Sequence, residues 1–82
     1  MIEILYAPEF KRRYLELSLA VQKKAEKREA IFRQNPFHPS LKTEKLEPKN
    51  KEYWSFRIDR DHRILFRFDD SKKIIFVSCG HH

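Results

Sequence analysis

Tyr53-Trp54-Ser55-Phe56-Arg57-Ile58-Asp59-Arg60-Asp61-His62-Arg63-Ile64-Leu65-Phe66-Arg67-Phe68, followed by Ile74-Ile75-Phe76-Val77-Ser78-Cys79-Gly80-His81-His82, is strongly β-forming sequence threaded with cations and imidazoles. A strand sends alternate side chains to opposite faces, which puts Trp54, Phe56 and Ile58 on one side and Ser55, Arg57 and Asp59 on the other. The same alternation separates Ile64, Phe66 and Phe68 from Arg63, Leu65 and Arg67. These patterns predict a meander of three strands over 53–59, 62–68 and 73–79, turning at Arg60-Asp61 and at Asp69-Asp70-Ser71-Lys72. Its apolar face should pack on helices and its arginine face should remain open.

Toward the N-terminus, Ile2, Ile4 and Tyr6 alternate with Glu3 and Leu5 as a short first strand, and Pro8 suits the first turn of a helix. A first helix is expected over 8–17, burying Phe10, Tyr14 and Leu17. The stripe restarts as Val21, Ala25, Arg28 and Phe32, with Ser18 able to cap a second helix; one bent helix is the alternative, because no Gly or Pro forces a break. Asn35-Pro36 ends the helical region, since the residue before proline is pushed out of the α conformation. From Phe37 to Glu52 a charged loop is expected, anchored to the core by Leu41 and Leu46, with Lys49-Asn50-Lys51 read as a solvated connector. The order β-α-α-β-β-β makes an α+β fold in one domain spanning 1–82.

A chain of 82 residues buries about 60–65% of the surface its unfolded form exposes, enough for one core. Seven Phe, three Tyr and one Trp mark a folded chain despite its charge. The single cysteine excludes an internal disulfide, and no signal peptide or spanning apolar segment is evident, so a reducing cytoplasm is the expected home and no membrane is expected as a partner. Eighteen Lys and Arg against twelve Asp and Glu leave +6, which points to a polyanion or an acidic protein partner; a functionally neutral basic surface is the alternative.

Arg57, Arg63 and Arg67 share the open face, and guanidinium forks bind phosphate bidentately, although Asp59, Asp61 and Asp69 are near enough in sequence to pair with them instead. His38, His62, His81 and His82 can exchange protons near neutral pH. His81 and His82 leave a core strand that would hold them firmly, whereas His62 sits where it caps or packs a turn. Cys79-Gly80-His81-His82 lacks the second cysteine and paired spacings of a zinc site, so no metal is expected. No Gly-rich phosphate loop or nucleophile elbow is present, which speaks against NTP hydrolysis.

Pro36-Phe37-His38-Pro39-Ser40-Leu41-Lys42 and Leu46, then Tyr53-Trp54-Ser55-Phe56-Arg57-Ile58, Asp61-His62-Arg63-Ile64-Leu65-Phe66 and Gly80-His81-His82, resemble the RelE/ParE superfamily of bacterial type II toxins, especially its RelE-, YoeB- and YafQ-like mRNA interferase branches. Over residues 1–34 only the strand–helix–helix layout and Asn35-Pro36 agree. The resemblance implies two helices on one side of a small, twisted, mostly antiparallel sheet, with the active site in the sheet's concave face. It implies a cognate antitoxin as partner, and the ribosome and mRNA as targets, with no cofactor. Arg63 matches the family's transition-state arginine, Arg57 a neighbouring basic position, and His81 the acid/base histidine, with His82 beside it. His38, Lys42 and Lys45 fall in the loop that carries histidine or lysine in several branches. The implied catalytic set is thus His81, Arg63, His38 and His82, with Arg57, Lys42, Lys45 and Arg67 holding RNA phosphates. The chemistry is metal-independent attack of a ribose 2′-OH on the adjacent phosphorus, His81 acting as acid and His38 as base. A ParE-like inhibitor of DNA gyrase, or an RNA-binding module without catalysis, are the rival readings.

Overall fold

The computed structural model describes residues 2–46, 52–70 and 72–81. Strand β1 (Glu3–Tyr6) leads into helix α1 (Pro8–Glu16), with Pro8 at the start where its missing N–H is not needed. Helix α2 (Leu19–Gln34) begins after a two-residue break, so the chain forms two helices and not one bent one. The break is made by side chains. Ser18 caps α2 by accepting from the Val21 amide at 3.2 Å, and Gln22 Nε2 donates to the carbonyls of Tyr14 and Leu17 at 3.0 and 3.1 Å. These bonds satisfy carbonyls left open at the end of α1 without a glycine.

The charged segment after Asn35-Pro36 is, as far as Leu46, more ordered than the expected loop. Pro39–Leu41 form a 3₁₀ turn and Glu44–Lys45 form a short strand, β2. Leu41 is fully buried as expected, whereas Leu46 lies on the opposite side of the sheet and lines a cleft there. The Lys49-Asn50-Lys51 stretch lies outside the described residues. Then come β3 (Tyr53–Arg57), β4 (His62–Phe68) and β5 (Lys73–His81), the last running two residues beyond the expected end.

The five strands lie in the order β1-β5-β4-β3-β2, antiparallel except for the parallel β1–β5 pair. Phe32 of α2 inserts among Phe56, Phe66 and Phe76, with ring centroids 4.7, 4.9 and 5.4 Å away, and all four rings are buried. Arg28, on the same helical stripe, stays at the rim and donates to the carbonyls of Ile58 and Ser40, tying α2 to the end of β3 and to the 3₁₀ turn. Helix α1 packs Phe10 against Phe76 and lies along β5.

An irregularity in β5 decides what its end presents. Leu65 faces Ser78 but Phe66 faces Phe76, so Val77 is the extra residue of a β-bulge. Up to Phe76 the even-numbered side chains enter the core; after the bulge Cys79 does so, opposite Ile64, and Ser78 and Gly80 turn to the open face. A uniform alternation would have turned Ser78 and Gly80 to the helix side instead.

Candidate active site in the open face of the sheet

Cross-strand partners share a face, so the register defines the open side row by row. One row runs Glu44–Ser55–Leu65–Ser78 and the next Arg57–Arg63–Gly80. Ser55, Leu65 and Ser78 of the first row and Arg63 and Gly80 of the second floor a cleft of about 330 Å³, which Leu46, Arg13 and His81 also line. Ser55 is buried in this floor, and its hydroxyl has no hydrogen-bond partner among the described residues. A buried donor left unmatched costs stability, and a ligand oxygen or water entering the cleft would satisfy it.

Arg63 stands in the middle of the cleft, largely buried, with Nη1 3.8 Å from Glu44 Oε1. That separation gives an ion pair without a hydrogen bond, so the fork remains suited to a phosphate. Arg57 lies directly opposite Arg63, and its buried Nε has no hydrogen-bond partner among the described residues. Like charges set opposite each other on paired strands destabilise a sheet. Two arginines held this way are poised for an anion.

His81 closes the strand next to Arg63. It lies across from His62, their ring centroids 5.4 Å apart and nearly perpendicular. His62 is itself fixed by Asp59, whose Oδ1 accepts from the amides of Asp61 and His62 at 2.9 and 2.8 Å and from His62 Nδ1 at 3.0 Å. Burial would raise the Asp59 carboxyl, but these three donors outweigh it and hold the group down at about 2. The ionised carboxylate can only accept, so the Nδ1 proton belongs to His62. Burial pushes the Cys79 thiol up to about 11 against the pull of Arg13, which leaves it a core residue and not a nucleophile.

Of the expected site residues, the structure brings Arg63 and His81 into one cleft, with Arg57 beside them. Others fall elsewhere. His38 caps its own 3₁₀ turn, Nδ1 meeting the Ser40 amide at 3.1 Å and hydroxyl at 2.9 Å, and it is not among the cleft-lining residues. Lys42 ends that turn, exposed, in the left-handed conformation (φ 51°). Lys45 pairs with Trp54 and sets its ammonium 5.8 Å from the centre of that ring, so strand alternation carries it to the helix side of the sheet. Arg67 shares the open face but lies four residues along β4 from Arg63, roughly 13 Å away, and pairs with Asp69 at 3.8 Å. The expected aspartate pairing is thus seen for Arg67, while Arg63 takes Glu44 and Asp59 serves Lys24 and His62. His82 lies outside the described residues.

Three features were not read from the sequence. Glu44 sits in a run so dense in charge that its place on a strand facing Arg63 is hidden. Arg13 belongs to a helix face that looks solvated. The Asp59–His62 pair carries a local sign, an aspartate three residues before a histidine at a turn.

Two helices on one face of a five-stranded mixed sheet, with a basic cleft on the other, define a RelE/ParE-type toxin domain. The chain belongs to the YoeB-like toxins of bacterial type II toxin-antitoxin systems, whose family model matches residues 12–82. A YoeB/ParE toxin from Agrobacterium tumefaciens superposes with a TM-score of 0.82 at 20% identity, covering 99% of both chains. The YoeB dimer of Staphylococcus aureus gives 0.80 at 25% identity, covering 99% of this chain and 97% of that one. The toxin of the heterotetrameric YoeB-YefM toxin-antitoxin complex from Staphylococcus aureus gives 0.78 at 24%, covering 100% and 98%. Among curated proteins none matches in sequence.

Proposed function

We propose that this toxin is an endoribonuclease that cuts mRNA on the ribosome, and that a cognate antitoxin silences it by covering the open face. The observation that carries the reading is Arg63 in a cleft that His81 also lines, with the Glu44 carboxylate 3.8 Å from the Arg63 fork. In-line displacement at phosphorus needs a base on the side of the attacking oxygen and an acid on the side of the leaving one. Glu44 on β2 and His81 on β5 are separated by two strands and by three residues along the sheet, about 17 Å between backbones. That span leaves room for a phosphodiester between their side chains.

In this scheme Glu44 takes the proton of the ribose 2′-OH as the O2′–P bond forms. Arg63, with Arg57 beside it, neutralises the charge growing on the phosphoryl oxygens. The P–O5′ bond then breaks and His81 gives its proton to the departing 5′-oxygen, leaving a 2′,3′-cyclic phosphate and a free 5′-hydroxyl. The base role falls to Glu44 because His38 spends its ring nitrogen on its own turn. His62, anchored by Asp59, packs against His81 and restricts the ring's orientation. Residues His38, Lys42, Lys45 and Arg67, and any part taken by His82, do not enter the steps. An antitoxin partner is supported by the YoeB-YefM complex and by the +6 charge, which suits an acidic polypeptide.

The test is mRNA cleavage in a reconstituted translation system, comparing the intact chain with Arg63→Ala and His81→Ala and including a ribosome-free arm. Ribosome-dependent cuts ending in cyclic phosphate, lost in both variants, are expected. Intact mRNA with the unaltered chain refutes the reading.

A further inference from the structure

Helix α1 contributes a cation to a cleft otherwise built from the sheet. Strand β1 pairs only with residues 73–76 of β5, and α1 then runs beside the remainder of that strand. Arg13, in the last turn of α1, reaches round this edge and lines the cleft with Arg63 and His81. Its contact with the floor is at Gly80, where a Cβ would lie 3.3 Å from Arg13 Nη1. Gly80 is the register partner of Arg63, so the Arg13 fork lies over the row that holds the central arginine. Arg13 meets its salt-bridge partner Glu9 through Nε, at 3.6 Å and half exposed. The Nη1 end is directed at the cleft.

We propose that Arg13 is a phosphate-binding residue for single-stranded RNA, holding the phosphate next to the one engaged by Arg63. The identity of the ligand rests on the endoribonuclease reading. Successive phosphates along one strand need cations spaced along a track, and a fork extending from outside the sheet lengthens the track past the edge of β5. The exposed neighbour Arg12 does not line the cleft and supplies a control of equal charge.

The experiment measures binding of the full-length chain to a short fluorescent RNA, made non-cleavable by 2′-deoxy substitution, across a range of salt concentrations. Arg13→Gln should weaken binding about tenfold and lower the slope of log K against log salt by about 0.7, the release expected for one single-strand phosphate contact. Arg13→Lys should keep the slope and recover part of the affinity, because charge survives while the fork does not. Arg12→Gln should change affinity less than about twofold. Equal effects of Arg13→Gln and Arg12→Gln overturn the inference, as does an unaltered chain that binds no RNA. Cleavage in the translation system separates the two ideas. A chain that cuts mRNA while Arg13→Gln behaves as Arg12→Gln keeps its activity and loses this contact. A chain that binds with an Arg13-dependent slope but leaves mRNA whole keeps the contact and loses the catalytic reading.

Discussion

Asp59→Asn offers a test of how the β3–β4 turn holds the site. The Asp59 carboxylate accepts three hydrogen bonds at 2.8 to 3.0 Å and contacts Lys24 Nζ at 3.4 Å. Asparagine keeps an acceptor in the same place but loses the charge. The carboxyl is held at about 2, against an ordinary value of 3.8, so the folded form binds the proton more weakly than the unfolded form does. Stabilisation from the charge is therefore complete above the unfolded value and drains away as pH falls through the folded one. The difference in pKa corresponds to somewhat more than 2 kcal/mol; allowing for screening by nearby solvent, about 1–2 kcal/mol remains. Urea unfolding of both proteins should show a midpoint lower by about 1–2 M for the variant near neutral pH, taking a slope of about 1 kcal/mol per M. The gap should close between about pH 5 and about pH 2. A gap of the same size at about pH 3 and about pH 7 would refute the reasoning, because it would mean that shape and not charge supports the turn. High salt separates out Lys24, whose exposed contact is screened while the bonds from the turn amides are not.

Phe32→Ala should cost about 3–5 kcal/mol in chemical denaturation, since it empties the site between three buried rings; a loss below about 1 kcal/mol would show that the helix collapses onto the sheet. Lys42→Gly should stabilise by about 0.5 kcal/mol, the relief of a left-handed lysine exceeding the added entropy of glycine, and a lower melting temperature would count against this. Cys79 should resist a thiol reagent at neutral pH until the protein unfolds, so labelling should follow denaturant and not reagent concentration. Arg63→Lys should lower cleavage on the order of a hundredfold although the charge is kept, because the fork is lost; full activity in the lysine variant would remove the bidentate contact from the scheme.

The strands and helices were legible because each buries one face, and burial on one face writes a period into the chain. Trp54, Phe56 and Ile58 alternate for that reason, and Phe10, Tyr14 and Leu17 recur at helical spacing. Features hidden from the pattern depend on partners distant in sequence. Strand β2 has two residues, too few for any period, so whether Glu44 or Lys45 takes the open face is undecided until pairing with Ser55 and Trp54 sets it. The extra residue at Val77 reverses the faces of Ser78, Cys79 and Gly80, and an even run of β-formers carries no sign of it. Arg13 reads as a solvated position on α1, because only the short length of β1 opens the edge that it turns around.

The parallel pairing of β1 with β5 sets an order on events during synthesis. Of the five strands described, the one made earliest joins the one made latest, and β5 lies between β1 and β4, so this sheet has a gap until residues through 81 are available. Helices and the β3–β4 hairpin are local and form fast, but the strand bearing Phe76 and His81 closes both the core and the cleft in one long-range step. A nascent chain still missing this strand holds Phe32 without a complete ring of partners and Arg63 without its neighbour. Core and cleft are therefore completed together, and a partly translated copy has neither.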